Sequence, residues 1–276
     1  MSPLPRSEEN MGYWGKPTST LDWCERNYEV TYYIAEFWNT ITNLCMIIPP
    51  IYGMITCYQQ RLGRRYILSY ALLLLTGVGS WMFHMTLRFE MQLLDELPMV
   101  WGAAFMLYTL HSVRRKPFTD RGRKVGIISL GYAIVLTITY VISKNPLFYQ
   151  IMYGLLVFTL ISYTTKYNYA HYKKTANQLF LVSLMIYVIG FTLWNIDNTF
   201  CDEITYLRED TNLAFLSPFT QLHGWWHIMA GYAGYLQVLY CIQHQLHYLN
   251  IDYSLKSSWV GVVIRINPAH RKMLFN

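Results

Sequence analysis

The chain of 276 residues is 53% hydrophobic and 17% aromatic, whereas only 14% of its residues are charged. Soluble domains carry about 25% charged residues, so this composition argues against a soluble domain and indicates an integral membrane protein. The net charge of +6 does not indicate binding to nucleic acid, because the basic residues are distributed over several loops and do not cluster on one face.

The chain begins with a polar arm, residues 1–32, that precedes the first apolar segment. Its first ten residues lack the apolar core of a cleaved signal peptide, so we expect the first helix to act as the insertion signal. The arm and the start of that helix carry a group of oxygen-bearing side chains: Asp22, Glu25, Asn27, Glu29 and Glu36. Such groups suit calcium, but they lack the spacing and the central glycine of an EF-hand loop. The residues alone therefore favour a solvated acidic arm.

Seven apolar segments follow the arm, and each approaches the roughly 20 residues that a membrane-spanning helix needs. In chain order the segments are residues 33–58, 66–85, 92–112, 125–142, 148–165, 179–194 and 221–248. They show no internal repeat, and no flexible linker separates them. The sequence therefore predicts an all-α membrane protein in which seven transmembrane helices form one bundle over residues 33–248.

The positions of the basic residues predict the orientation of this bundle. Most of the 22 Lys and Arg residues follow the first, third, fifth and seventh predicted helices. Positive residues in short loops are retained on the cytoplasmic side of a membrane. We therefore expect a lumenal or external amino terminus, a cytosolic carboxyl terminus and a cytosolic tail over residues 249–276.

Five polar side chains lie at one predicted depth near the lumenal surface. Ser80 and His84 are one turn apart at the lumenal end of the second helix, and Asp95 lies about one turn inside the third. His223 and His227 are one turn apart at the start of the seventh helix. Ionisable groups at membrane depth are costly and usually face a cavity lined by protein, so these residues are candidates for a functional site.

Three histidines with an open fourth position are typical of a catalytic zinc site, whereas a structural site is closed by four protein ligands. A bound zinc ion lowers the pKa of its water ligand and polarises a substrate carbonyl. In such a site Asp95 would transfer the proton and Ser80 would hydrogen-bond the developing oxyanion. The pattern thus predicts hydrolysis of an acyl bond.

A pair of histidines four residues apart is weak evidence for a metal when it stands alone, because a histidine in a helix is more often a hydrogen-bonded structural residue. The coincidence of this pair with Ser80, His84 and Asp95 at one depth favours the metal site. The remaining five histidines are interpreted as interfacial or solvated: His111, His171, His244, His247 and His270.

These residues resemble the shared pattern of the alkaline ceramidase family, which has Ser-x-x-x-His in helix two, Asp in helix three and His-x-x-x-His in helix seven. Every element of the pattern is present. Longer strings are similar to the alkaline ceramidase 3, or phytoceramidase, subgroup: residues 12–15, 19–25, 36–40, 83–87, 91–99 and 194–198. The resemblance covers nearly the whole chain and fades only in the first ten residues and after about residue 249.

The resemblance implies a fold shared with adiponectin receptors and a zinc-dependent, calcium-stimulated hydrolase. Such an enzyme cleaves the amide bond of ceramides, including long-chain, unsaturated and phytoceramides, to a sphingoid base and a free fatty acid. It resides in membranes of the endoplasmic reticulum and Golgi and takes its substrate from the bilayer. Its partners are therefore ceramide and membrane lipids, without nucleic acid and without an obligate protein partner.

The resemblance also assigns roles to individual residues. The zinc ligands would be His84, His223 and His227, and the catalytic residues would be Ser80 and Asp95. The calcium ligands would be Asp22, Glu25, Asn27, Glu36 and the main-chain carbonyl of Trp23. Tyr153 and Trp226 match positions of the family's substrate pocket, although ordinary packing between helices explains each of them nearly as well.

Cys24 and Cys201 both fall on the predicted lumenal side. An oxidising compartment permits either a disulfide between them or two free thiols, and sequence spacing does not decide between the two. The family resemblance favours the disulfide.

Other seven-helix classes fit less well. A receptor of the adiponectin-binding type uses the same zinc fold, but that branch has a long cytosolic amino-terminal domain and the opposite orientation. A retinal-binding protein needs a lysine in the seventh helix, and none occurs between residues 221 and 248. A transporter is expected to show broken helices or paired repeats, and the sequence shows neither.

Overall fold

The computed structural model describes residues 11–113, 120–170, 174–209 and 214–267. The sequence predictions for the first ten residues, for His171 and His270 and for the basic residues in the gaps lie outside these ranges. All further statements concern the described residues.

The described chain is mainly helical, with one small sheet near its carboxyl end. In chain order the helices are α1 (Phe37–Thr42), α2 (Leu44–Gln59), α3 (Arg64–Thr86), α4 (Phe89–His111), α5 (Asp120–Ser143), α6 (Pro146–Ala170), α7 (Lys174–Thr199), α8 (Cys201–Glu209) and α9 (Leu222–Tyr248). A 3-10 helix, Ala214–Thr220, lies just before α9, and the strands β1 (Tyr253–Ser258) and β2 (Gly261–Ile266) follow it.

Each of the seven apolar segments forms a long helix or, for the first segment, a pair of helices. Five helical stretches are long and apolar enough to cross a membrane: Phe37–Gln59, Arg64–Thr86, Gly122–Ser143, Pro146–Ala170 and Asn177–Thr199. Helices α4 and α9 do not meet this criterion in the described chain, because acidic residues in α4 and histidines and glutamines in α9 lower their hydropathy. These two helices carry three of the five polar residues that are predicted at one depth: Asp95, His223 and His227.

The first helical stretch is interrupted at Asn43, which the sequence analysis does not predict. The Thr42 hydroxyl donates to the carbonyls of Trp38 and Asn39, over 2.9 and 3.1 Å. The Asn43 side-chain amide also donates to the carbonyl of Asn39, over 2.9 Å. Side chains that bond to nearby carbonyls compete with the helical hydrogen bonds, so this cluster of polar residues accounts for the interruption.

The chain divides into two compact units, and nearly all candidate residues belong to the first. The first unit contains the chain up to Ile47, Leu75–Glu96 and Leu184–Ala233, and the second contains Ile48–Leu74, Leu97–Ser183 and the chain from Gly234 onward. Of the predicted site residues only Tyr153 belongs to the second unit.

In the first unit the arm is bound to the junction between α3 and α4. The main-chain N–H groups of Thr18 and Ser19 donate to the carbonyl of Leu87, over 3.0 and 3.1 Å. The Gln92 side chain accepts from the N–H of Thr20, over 2.8 Å. Apolar side chains form a buried cluster at this junction: Tyr28, Ala35, Phe83 and Leu87. The arm therefore has a defined position although it contains almost no regular secondary structure.

Gly79 allows α3 and α4 to approach closely in the first unit. A Cβ atom at this position would overlap the main-chain oxygen of Leu94. Ser80 and Asp95 directly follow these two residues in the chain. The glycine contact therefore brings the two candidate catalytic residues onto adjacent parts of neighbouring helices.

In the second unit β1 and β2 form an antiparallel hairpin that the sequence analysis does not predict. The Gln60 side chain binds it with both ends: Nε2 donates to the carbonyl of Ile264 over 2.6 Å, and Oε1 accepts from the N–H of Ile266 over 2.7 Å. Val263 and both of these isoleucines are buried. The predicted tail, residues 249–276, therefore contains a folded element that packs into the second unit.

We expect Gly79→Ala to destabilise the protein, because the added methyl group must push α4 away from α3. Overpacking of a close contact costs about 1–3 kcal/mol. Gly131→Ala is the matched control, because no atom lies within 4 Å of the Cβ that it adds and alanine is the better helix former. In thermal unfolding of the purified protein, Gly79→Ala should lower the midpoint and Gly131→Ala should preserve or raise it. Equal midpoints would contradict the close approach of the two helices.

Candidate metal centre

Three buried histidines, which we call the histidine trio, meet in the first unit: His84, His223 and His227. His84 belongs to the last turn of α3, whereas the other two lie one turn apart at the start of α9. One nitrogen from each ring lies within 4.8 Å of those from the other two. The ring centroids are 4.6, 4.7 and 5.0 Å apart. This spacing allows the three imidazoles to bind one ion.

Two nitrogens of the trio have no hydrogen-bond partner among the described residues: His84 Nε2 and His223 Nδ1, both of which are buried. Leaving a buried polar atom without a partner costs about 1–3 kcal/mol, so such atoms usually have an unseen water or ion beside them. A metal ion would satisfy both nitrogens, and imidazole nitrogens are common ligands of zinc. The donor set therefore fits the zinc site that the sequence predicts.

Hydrogen bonds to the protein orient two of the three rings. His84 Nδ1 bonds to a carboxylate oxygen of Glu36, and His227 Nδ1 lies 3.1 Å from the hydroxyl of Thr42. Metal-binding histidines almost always use the second ring nitrogen in this way, which fixes the tautomer and the ring orientation. The Nε2 atoms of these two rings are thereby left free to bind an ion held by the trio.

Ser80 and Asp95 lie beside the trio. The Ser80 hydroxyl oxygen is 3.5 Å from His227 Nε2, and the hydroxyl donates to the carboxylate of Asp95. Ser80 is buried, and Asp95 is half-buried. The structure thus brings together all five residues that the sequence analysis assigns to one depth.

Two buried carboxyl groups, those of Glu25 and Glu36, lie near each other at the start of α1. Glu25 accepts from the main-chain N–H groups of Trp38 and Asn39, over 2.7 and 2.8 Å. Burial and, to a lesser extent, the negative charge of Glu36 raise the pKa of Glu25 to about 8. Because both causes disfavour the ionised carboxylate, a bound cation would relieve them.

The segment that carries the other predicted calcium ligands touches the histidine trio. The Asp22 carboxylate accepts from the N–H of Trp23 over 3.1 Å, and Asn27 is buried. The indole ring of Trp23 stacks on His223, with centroids 3.8 Å apart and planes inclined by 22°. The acidic part of the arm and the trio are therefore parts of one packed region and do not form two isolated sites.

Cys24 and Cys201 form a disulfide that joins the arm to α8, with their Cα atoms 5.3 Å apart. Three further cysteines are free thiols: Cys45, Cys57 and Cys241. The disulfide lies one residue from Trp23, so it fixes the chain directly beside the ring that packs on the trio.

The two predicted pocket residues lie in different units. Tyr153 stacks on Tyr149 in the second unit, with ring centroids 5.9 Å apart. Trp226 lies on α9 in the first unit and meets Tyr187 and Phe191 of α7 edge on, at 5.4 and 6.4 Å. Packing between aromatic rings describes both environments, and a role in a substrate pocket stays a prediction.

The interpretation of the remaining histidines is wrong for His244. This residue is buried in the second unit, where its ring meets those of Tyr240 and Tyr167 at 4.6 and 5.1 Å. His111 is half-buried and bonds to a tyrosine hydroxyl. His244 lies within the seventh predicted helix, and packing against other helices, which position along the sequence does not reveal, buries its side chain.

Three residues that contact the trio or the arm beside it carry no signal in the sequence: Thr42 at His227, Asp197 at the main chain of His223, and Arg208 at the carbonyl of Cys24. In the sequence, Thr42 is one polar residue within an apolar segment, and Arg208 lies in the polar stretch between the sixth and seventh predicted helices. Neither position indicates a contact with the site. Asp197 belongs to one of the strings that carry the family resemblance, residues 194–198, but the string does not reveal what the carboxylate binds.

Comparisons of the sequence with known proteins show its family. The sequence profile of the ceramidase family matches residues 15–267. Alkaline ceramidase 3 of Mus musculus is 43% identical over 268 residues, which cover 95% of this chain and 98% of the relative. Alkaline ceramidase YPC1 of Saccharomyces cerevisiae is 33% identical, with 90% and 83% covered. A protein of Arabidopsis thaliana named alkaline ceramidase is 28% identical, with 81% and 82% covered.

Proposed function

The chain belongs to the ceramidase family, and from this we propose that it is an amidohydrolase that cleaves ceramides to a sphingoid base and a free fatty acid. We further propose that zinc at the histidine trio supports the reaction. The observation that carries the proposal is the trio itself: three buried imidazoles within reach of one ion, two of them with an unpartnered nitrogen, beside a serine and a carboxylate.

The side chains around the trio supply the groups that amide hydrolysis needs. Zinc, when bound by the three histidines, would polarise the scissile carbonyl and lower the pKa of a bound water. Asp95 accepts a proton from the attacking water and returns it to the amine nitrogen as the C–N bond breaks. The Ser80 hydroxyl donates a hydrogen bond to the oxyanion that develops on the carbonyl oxygen. Glu36 and Thr42 hold the rings of His84 and His227 throughout.

We propose that the bundle, residues 33–248, spans the membrane seven times with the arm lumenal and the tail, residues 249–276, cytosolic. Five helices support this by length and composition. Helices α4 and α9 would complete the bundle, since Asp95 of α4 and both histidines of the trio in α9 belong to the site and lower the hydropathy of these helices. Ceramide would enter from the bilayer, Trp226 would line its pocket in the first unit, and no obligate protein partner is needed. The basic loops and the disulfide fit endoplasmic reticulum and Golgi membranes.

We also propose a calcium site in the arm, with Asp22, Glu25, Asn27, Glu36 and the Trp23 carbonyl as ligands. Calcium prefers several oxygen ligands, including carboxylates and main-chain carbonyls. The raised pKa of Glu25 supports the site, because two buried carboxyl groups near each other need a positive charge to ionise together. Calcium would stabilise the segment whose Trp23 and Glu36 contact the trio.

The zinc and substrate proposals are tested together by His223→Ala. Wild-type protein purified in detergent should hold about one zinc ion and release sphingoid base from a long-chain ceramide, because three ligands with an open position make a catalytic site. His223→Ala should lose most of its zinc and nearly all activity. His247→Ala, which lies at the other end of α9, should keep both. Elemental analysis gives the zinc, and product release gives the activity.

A second pair of variants tests the roles of Asp95 and Ser80 separately from metal binding. We expect Asp95→Asn to lower kcat by about 10²–10⁴-fold through loss of proton transfer, and Ser80→Ala to lower it by about 10²–10³-fold through loss of the oxyanion donor. Both should retain zinc, because neither is a ligand. Glu90→Gln, an exposed acid of the same helix as Asp95, is the control. Wild-type kcat in Asp95→Asn would rule out its role in proton transfer.

The proposed calcium site predicts that the stability of the folded arm depends on pH. Folded protein without calcium holds a proton on Glu25 up to about pH 8, whereas the ordinary pKa is 4.5. Folding of the arm is therefore most favourable below about pH 4.5 and weakens as pH rises through about 8. Hydrogen exchange, corrected for intrinsic rates, should show lower protection of the arm at pH 9 than at pH 7, and added calcium should restore it.

Matched variants test whether Glu25 causes both the pH dependence of the arm and its response to calcium. Glu25→Gln should remove both the loss of protection at high pH and the response to calcium. Glu29→Gln, which changes an exposed acid of the same arm, should preserve both. Arm protection that does not change with pH in calcium-free wild-type protein would contradict the proposed site.

A further inference from the structure

A carboxylate outside the trio caps the helix that carries two of its members. Asp197, near the end of α7, is only 1% exposed and accepts from the main-chain N–H groups of Leu222 and His223, the first two residues of α9. The first N–H groups of a helix have no partner within the helix, and a negative charge there is favourable. The preceding residue, Gln221, is not one of the types that favour the cap position. Asp197 therefore provides a cap from a neighbouring helix.

The same carboxylate holds the arm. Asp197 also accepts from the N–H of Cys24, over 3.3 Å. On the other side of this residue, the Arg208 guanidinium donates to the carbonyl of Cys24 over 2.7 Å, and it donates to the carbonyl and hydroxyl of Thr220 over 2.7 and 3.0 Å. The charges of Asp197 and Arg208 attract each other. This Asp197–Arg208 pair thus binds both main-chain polar groups of one arm residue.

These contacts converge on one ring of the trio. Trp23 directly precedes Cys24, and its indole stacks on the imidazole of His223 at 3.8 Å. His223 receives no orienting side-chain hydrogen bond comparable to those of the other two histidines among the described contacts. Its position depends on the start of α9, which Asp197 caps, and on the indole, whose main chain the Asp197–Arg208 pair holds.

We propose that Asp197, together with Arg208, is a positioning residue that holds His223 in the geometry needed to bind zinc. Three main-chain donors occupy its carboxylate, so it acts on the reaction through His223 and Trp23 and does not itself exchange protons with substrate. For the His223 ring, the Asp197–Arg208 pair takes the place of the side-chain hydrogen bonds that orient His84 and His227. This inference rests on the zinc site of the proposed function.

Asp197→Asn in the full-length protein tests the inference. The amide keeps the shape of the side chain but removes its charge and one acceptor, and loss of an orienting group typically weakens metal binding by about 10–100-fold. We expect zinc affinity, measured by competition with a chelator, to fall by that amount. In addition, kcat should fall with little change in KM, and excess zinc should restore part of it. Hydrogen exchange should increase in the arm and in the first turn of α9.

Two further variants separate positioning from general stability. Arg208→Gln should weaken zinc binding in the same direction, because it releases the carbonyl of Cys24. Glu203→Gln changes an exposed acid of α8 and should leave zinc affinity and exchange unchanged. Lower thermal stability of Asp197→Asn with wild-type zinc affinity would show a purely structural role and overturn the proposal. If Asp197→Asn fails to fold, Arg208→Gln decides, and wild-type zinc affinity in that variant overturns the proposal.

The same measurements distinguish this inference from the proposed function. Wild-type protein that binds zinc but leaves ceramide intact would contradict the function, while the zinc affinities of the variants would still test the role of Asp197. Wild-type protein that cleaves ceramide, with no change of zinc affinity in Asp197→Asn, would contradict the positioning role alone. Wild-type protein without zinc would overturn both.

Discussion

The buried hydrogen bond between His84 and Glu36 is the interaction on which the organisation of the first unit depends. It joins the last turn of α3 to the residue that precedes α1 and leaves the other nitrogen of His84 facing the remaining two rings. Glu36 also accepts from the Asn39 side chain over 3.1 Å, and its charge acts on Glu25. Burial of a carboxylate is costly unless partners compensate for it. Glu36 has such partners on both sides, so a change at this residue reaches the trio and the acidic segment together.

The arm shows how a segment without helices or strands becomes part of a site. Ordering a loop costs about 1–2 kcal/mol of backbone entropy per residue, so each fixed point must contribute contacts. The arm has several such points: the hydrogen bond of Thr20 to Gln92, the disulfide of Cys24, and the hydrogen bonds that Glu25 accepts from main-chain N–H groups at the start of α1. Together they hold an indole against a candidate metal ligand. The arm therefore contributes to the environment of the trio as directly as the helices do.

Local patterns in the sequence predict much of this arrangement, and long-range contacts account for what they miss. Hydropathy predicts the long helices, and the spacing of His223 and His227 predicts a shared face, because both are properties of a single helix. The hairpin depends on Gln60, about 200 residues away, and the cap on α9 depends on Asp197 of another helix. The depth of His244 depends likewise on packing between helices. Composition of the arm suggests solvated acids, whereas burial of Glu25 follows only from folding of the arm onto α1.

The 177-residue separation of Cys24 and Cys201 has a consequence for biosynthesis. The arm is translated before every helix, but its covalent partner in α8 and two members of the trio in α9 are among the later parts of the chain. Until they emerge, the arm lacks its disulfide partner and His84 lacks the other two rings of the trio. A ribosome-bound intermediate would therefore lack a complete centre while it is inserted into the membrane. Lipid cleavage would therefore begin only after α9 has been made and the disulfide has joined the arm to α8.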